Sequence, residues 1–239
     1  KTYTVQVSYR GDWANHWAFK KKSWQVDFLG NYFDNSASIS LILPKDRGFF
    51  AEELNNYRAK KLGLNAPESK FVILNINGEK AGVYFQVGPW GRDFLEQSEL
   101  GSDTNFYGEK TDGPIFDSVF YWQQYATDPN TAYADYAQMD KLISLVRDAP
   151  DSQFYKEIAD LVDLDNFYRW NIHSMLSGST HQDGTHNIRL YFDKTIGKFK
   201  FIVWDVGLEK ADTERTYEKN NAGIDFINKT SISDIRKHK

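Results

Sequence analysis

Apolar residues recur at two different periods along this chain. Up to about residue 90 they alternate in short runs, the period of a half-buried strand. Residues 3–9 alternate around Val5 and Val7. Residues 20–28 begin on lysines and then set Trp24, Val26 and Phe28 on one face, and residues 39–43 form a short run closed by Pro44. Runs at 71–76 and 81–87 flank Asn77-Gly78, a pair suited to a two-residue hairpin turn because both positions need positive φ. One helix interrupts the strands, at 49–62. Phe50, Leu54, Tyr57 and Lys61 are expected on its inner stripe, and Gly63 stops it.

Around Gly88-Pro89-Trp90-Gly91 the pattern changes. A short helix is predicted at 92–100, then a polar loop at 101–117 with a short strand at 105–108. Helical spacing takes over at 133–149, where Met139, Leu142, Ile143 and Val146 share a face, and again at 154–162. Asp163 is placed to cap a third helix over 164–176, with Leu164, Phe167, Trp170 and Met175 inward. A dense polar loop from Thr180 to Asn187 then feeds two apolar strands, and the second delivers Asp205 onto Gly207. The tail from Ala211 is polar, with a weak signal at 224–227.

The expectation is one α+β chain in two parts, a sheet-rich part over 1–90 and a mainly helical part over 91–239 that carries the polar loop and hairpin. The 239 residues suffice for one large domain or two units sharing a cleft, and 41% apolar with 26% charged residues is ordinary for a globular protein. Aromatics reach 16%, mostly inside strand-like runs, which favours core packing over a sugar or base platform. A net charge of −4 without a long basic block argues against a nucleic-acid partner. The absence of cysteine removes disulfides, zinc–thiolate sites and a thiol nucleophile. No apolar run approaches the roughly 20 residues of a membrane span. The chain opens on a strand-like segment rather than a leader, so a mature or trimmed form is expected.

Hairpin pairing of the last two strands would gather Asp183, Asn187 and Asp205, a carboxylate–amide set suited to a divalent cation and a phosphate. His181-Gln182-Asp183 followed by Asn187 is close to the kinase loop in which an acid precedes a metal-binding asparagine. Asp205-Val206-Gly207 is close to the Asp-x-Gly that follows it. Each match alone is weak, and their order across one hairpin is the stronger signal. Two other readings use the same residues. His181, Asp183 and His186 could ligate zinc, although the spacing fits no common zinc motif. Asp183 and Asp205 could serve as acid and nucleophile of a glycosidase. His173, on a helix, reads as a packing histidine.

Beyond these motifs, the chain resembles the CotH family of spore-coat-protein-H-like atypical kinases. The likeness runs through Val5 to Gly11, Lys21-Lys22-Ser23-Trp24, Asn55 to Pro67, Phe71 to Tyr84, Asp183 to Tyr191 and Trp204-Asp205. It implies a protein-kinase-like two-lobed fold, ATP with Mg²⁺ or Mn²⁺, and phosphorylation of Ser/Thr-rich secreted or spore-surface proteins outside the cytoplasm. Asp183 would be the catalytic acid, Asn187 and Asp205 the metal ligands. Arg10, Lys21 and Lys22 would be candidate phosphate contacts, and His181, Arg189 and Trp204 would support the site. The resemblance also sets up an alternative. Gly88 stands where relatives carry a glutamate, and the chain ends early after Asp205. A shortened second lobe and a structural, catalytically weak surface module are the matching expectations. Glu52 or Glu53 on the early helix could supply the missing acid.

Overall fold

Two antiparallel sheets organise the chain. The computed structural model describes residues 1–207 apart from 12–13, 112, 132–134, 180–181, 183–184 and 186. The first sheet contains β1 (Gln6–Tyr9), β2 (Trp24–Asp27), β3 (Ser38–Ile42), β4 (Ser69–Ile76) and β5 (Glu79–Val87), in the order β1-β2-β3-β5-β4. Between β3 and β4 the chain makes a 3-10 turn, Pro44–Arg47, and helix α1 (Ala51–Lys61). The β4–β5 hairpin turns at Asn77 (φ 54°) and Gly78 (φ 83°) with Ile76 opposite Glu79, the left-handed pair that its sequence calls for. Alternation gives this sheet two inner faces. Trp24, Val26, Ile39, Leu41 and Tyr84 pack with Phe28 on one side, and Ile42, Phe85 and Val87 meet Trp90 and Trp204 on the other.

The second sheet contains β6 (Phe106–Glu109), β7 (Trp122–Ala126), β8 (Arg189–Asp193) and β9 (Lys198–Ile202), in the order β7-β6-β8-β9. Around it run α2 (Arg92–Gln97), α3 (Ala137–Asp148), α4 (Asp151–Leu161) and α5 (Leu164–Leu176). Met139, Leu142, Ile143 and Val146 of α3 enter the main core with Phe154, Phe167, Trp170 and the strand residues Leu190, Phe199 and Phe201. The Asp163 carboxylate accepts from the Asn166 N–H at 3.1 Å and caps α5 as its sequence predicts.

The architecture is therefore α+β, with five α-helices and two antiparallel sheets among the described residues. The second half is less purely helical than its periodicity suggests. Its sequence does not announce β7, because Gln123 and Gln124 break the apolar run, yet this strand closes a four-stranded sheet there.

Helix α1 departs most from expectation. Phe50, Leu54, Tyr57 and Lys61 face solvent, with Phe50 67% exposed, and the buried residues are Ala51, Glu52, Asn55, Asn56 and Ala59. These five also lie at helical spacing, so the helix is amphipathic with the polar side inward. It ends as expected: Gly63 (φ 73°) donates to Lys60 O and Leu64 donates to Ala59 O, the paired bonds of a glycine-closed C-terminus. The inward polar side is explained by what it meets.

Candidate active site

The polar side of α1 meets the chain that leaves β9. Asn55 Nδ2 donates to Val206 O at 2.8 Å, and Asn55 O accepts from His173 Nε2 at 2.9 Å. His173 is thus the packing histidine that its position on α5 suggested. Burial holds its ring below the usual imidazole range, and the nearby Arg58 acts in the same direction. The neutral ring has a consequence for pH. The unfolded chain takes up a proton below about pH 6.5 where the folded chain does not, so stability is lost as pH falls from there toward the lowered folded value. The drop in urea midpoint from about pH 7.5 to about pH 5.5 is expected to be smaller in His173→Gln, which keeps a donor for Asn55 O. Equal drops in both proteins would rule this account out.

Asp205 is the centre of the site. β8 and β9 pair with Arg189 opposite Ile202, which brings the residues just before β8 beside those just after β9. Asn187 (φ 57°) and Asp205 (φ 53°) both adopt the left-handed conformation, which Asn and Asp tolerate better than other non-glycine residues. Asn187 Nδ2 donates to Asp205 Oδ2 at 3.1 Å. The other oxygen, Oδ1, is in an ion pair with Arg47 Nη1, and the same Nη1 lies 3.1 Å from Glu52 Oε2. Glu52 is completely buried, and neither of its carboxylate oxygens has a hydrogen-bond partner among the described residues, nor has Arg47 Nε. Glu52 and Asp205 therefore share the Arg47 guanidinium. The Asp205 carboxylate, together with the Asn187 amide, makes a hard-oxygen donor set of the kind Mg²⁺ or Mn²⁺ takes. The residues present fit a divalent cation bound through Asp205 and Asn187.

Below this cluster the loop is held by Gln182. Its amide donates to Trp204 O at 2.7 Å and to Asp205 O at 3.1 Å, and its oxygen accepts from Ser179 Oγ at 2.5 Å. Arg189 is buried in an ion pair with Glu109, its guanidinium 5.4 Å from the ring of Trp90 and 5.1 Å from that of Tyr125. Trp204 has two guanidinium groups over its ring, Arg47 at 5.5 Å and Arg189 at 5.8 Å, and packs edge-on against Trp90 at 4.8 Å. Gly108 is required beside Arg189, because a Cβ there would sit 2.3 Å from the Tyr125 ring and 2.8 Å from Arg189 Cδ.

Among the residues singled out in the sequence, Asn187 and Asp205 are in direct contact, and Arg189 and Trp204 pack beside them. Asp183 and His181 lie outside the described residues, as does His186 of the zinc reading. Arg10 follows β1, its N–H donating to Ser23 O at 3.1 Å. Lys21 Nζ donates to Val83 O at 2.6 Å and lies over the Tyr84 ring, and Lys22 Nζ donates to Trp17 O at 2.6 Å. Neither lysine has a described contact with Asp205 or Asn187. Arg47 and Gln182 contact Asp205, and the sequence does not single them out. Arg47 sits in Pro-Lys-Asp-Arg, which reads as an exposed charged turn. Its only signal is Glu52 five positions on, on the side of α1 that the aromatic stripe assigns to solvent.

The structure is an α+β fold with an acid–amide pair where its two sheets meet, backed by a buried Arg–Glu pair, and the fold alone does not name a reaction. The chain belongs to the CotH kinase protein family, whose model matches residues 7–236. It is also similar to the inner spore coat protein H of Bacillus subtilis (strain 168), 25% identical over 214 residues. That match covers 86% of this chain and 58% of the relative's length. No helix among the described residues is long and apolar enough to cross a membrane.

Proposed function

We propose that this chain is an ATP-dependent protein kinase that transfers the γ-phosphate to Ser or Thr of Ser/Thr-rich proteins at a spore coat or cell surface, outside the cytoplasm. The observation that carries the reading is the contact set of Asp205, held between Asn187 on one oxygen and the buried Arg47–Glu52 pair on the other. In this reading the fold is protein-kinase-like, with a first lobe over 1–90 and a second from 91 onward that meet at Asp205. Family membership supports the reaction class, and the name of the spore coat relative supports the location.

The chemistry is divided among the chain's own residues. Asp205 and Asn187 hold Mg²⁺ or Mn²⁺, which when bound neutralises phosphate charge and lowers the barrier to displacement. Arg47 offers a guanidinium to the phosphates. Arg47 is the cation in contact with Asp205, so we assign the principal phosphate contact to it and keep Arg10, Lys21 and Lys22 as secondary candidates. Glu52 holds Arg47 in place. Asp183 orients the acceptor hydroxyl and takes its proton as the new oxygen–phosphorus bond forms and the bond to the bridging oxygen of ADP breaks. Gln182 fixes the loop that carries Asp183 to the backbone of Trp204 and Asp205.

The missing acid at Gly88 is the argument for a purely structural module. A completely buried Glu52 against Arg47 supports the active reading instead, since a buried carboxylate with no hydrogen bond among the described residues costs stability. The test is incubation with γ-labelled ATP, Mn²⁺ or Mg²⁺ and a serine-rich acceptor protein. Label is expected on the acceptor with either metal and is lost on chelation. Nucleotide-dependent thermal stabilisation without any transfer would overturn the enzyme in favour of a structural module.

A further inference from the structure

The outward side of α1 exposes Leu54 and Tyr57 beside Arg58, Lys60 and Lys61. Phe49 and Phe50 lead into the helix fully in the open. A surface helix gains stability by burying its apolar side, so this orientation is costly unless something covers it. The exposed side does not stand alone. Phe49 and Phe50 share a groove of about 650 Å³ with Phe19, Phe71 and Val83, all of them exposed. Lys21 and Lys45 also line the groove with one acid, Asp46, whose carboxylate lies 3.2 Å from His16 Nδ1. The lining is thus aromatic with a positive excess, on a protein whose net charge is −4.

We propose that this groove docks an extended segment of a partner protein in which bulky apolar side chains are flanked by acidic residues. The apolar lining takes the side chains, and Lys21 and Lys45 select acidic flanks. The charge also argues against a second copy of the chain as occupant. A two-fold pairing would set Lys21 and Lys45 of one copy against the same lysines of the other. The groove lies on the turn that carries the site, since Pro44, Lys45 and Asp46 line it and the next residue, Arg47, reaches Asp205. A docked segment is therefore held beside the residues that position the phosphates.

The test is fluorescence anisotropy of the full chain with short labelled peptides and no nucleotide, so its outcome is independent of phosphoryl transfer. One peptide carries two phenylalanines flanked by glutamates, a second has lysine flanks, and a third has serine in place of phenylalanine. Saturable binding of the first is expected, weaker binding of the second and none of the third. Phe50→Asp, which places a good helix cap at the position before α1, is expected to weaken the first peptide about tenfold or more. Lys45→Glu should weaken it similarly while narrowing the preference for acidic flanks. No saturable binding, equal binding of both flank types, or indifference to Phe50→Asp would overturn the proposal. So would a dimer of the parent chain that Phe50→Asp disperses, which would give the groove to a second copy.

Discussion

Asp205→Asn is expected to remove phosphoryl transfer and leave the fold at least as stable as before. The side chain keeps its shape, and asparagine adopts the left-handed conformation found here (φ 53°) as readily as aspartate does. Asn187 Nδ2 keeps an acceptor. Arg47 loses one of its two carboxylates but keeps Glu52. What disappears is the carboxylate charge of Asp205 that would hold a divalent cation. A rate loss of at least about a hundredfold is expected, the usual scale for removing one electrostatic contact made in the transition state. Rate and thermal midpoint must be measured on the same preparations. Transfer within a few-fold of the parent would remove Asp205 from the mechanism, and a collapsed midpoint would reduce its role to folding.

Much of this site is legible in the sequence because its signals are local. Asn77-Gly78 dictates a turn through the backbone alone, and Asp163 caps through a bond three residues away. Two apolar strands joined by a short turn bring the residues at their outer ends together, so the hairpin pattern alone is enough to pair Asn187 with Asp205. Helix α3 follows its stripe because Met139, Leu142, Ile143 and Val146 meet apolar core. The failures come where a tertiary partner reverses the local rule. α1 shows it most plainly: Phe50, Leu54 and Tyr57 form the better stripe by hydrophobicity, yet Glu52 and Asn55 are inside because Arg47, His173 and the Val206 carbonyl are there to meet them. His173 and Val206 come from distant stretches of chain, and no periodicity encodes any of these partners. Gln182 reads in sequence only as the middle of a motif. Its work is to reach two carbonyls more than twenty positions away, which spacing along the chain does not express.

The Arg47–Glu52 pair separates stability from chemistry, and a two-residue cycle is expected to show it. In Arg47→Met the apolar side chain fills similar space, but completely buried Glu52 and mostly buried Asp205 both lose the Arg47 guanidinium. Removing one partner of a buried ion pair costs about 3–5 kcal/mol, and in a chain of this length that lowers the thermal midpoint by roughly ten degrees. Adding Glu52→Leu removes the completely buried one of these two carboxylates and leaves that of Asp205. Because Glu52 has no hydrogen bonds to lose among the described residues, the double variant is expected to recover part of the lost stability. It should not recover transfer, since the phosphates still lack Arg47. Glu52→Gln alone completes the cycle: Arg47 stays paired with Asp205, the fold holds, and nucleotide affinity falls because the guanidinium is no longer anchored from α1. Each corner bears on a different claim. A stable Arg47→Met single variant would mean that Glu52 is not charged in the folded chain. A double variant that transfers phosphate at the parent rate would return the phosphate contact to Arg10, Lys21 or Lys22. If both expectations hold, the buried pair is a feature that folding tolerates and that phosphate binding requires.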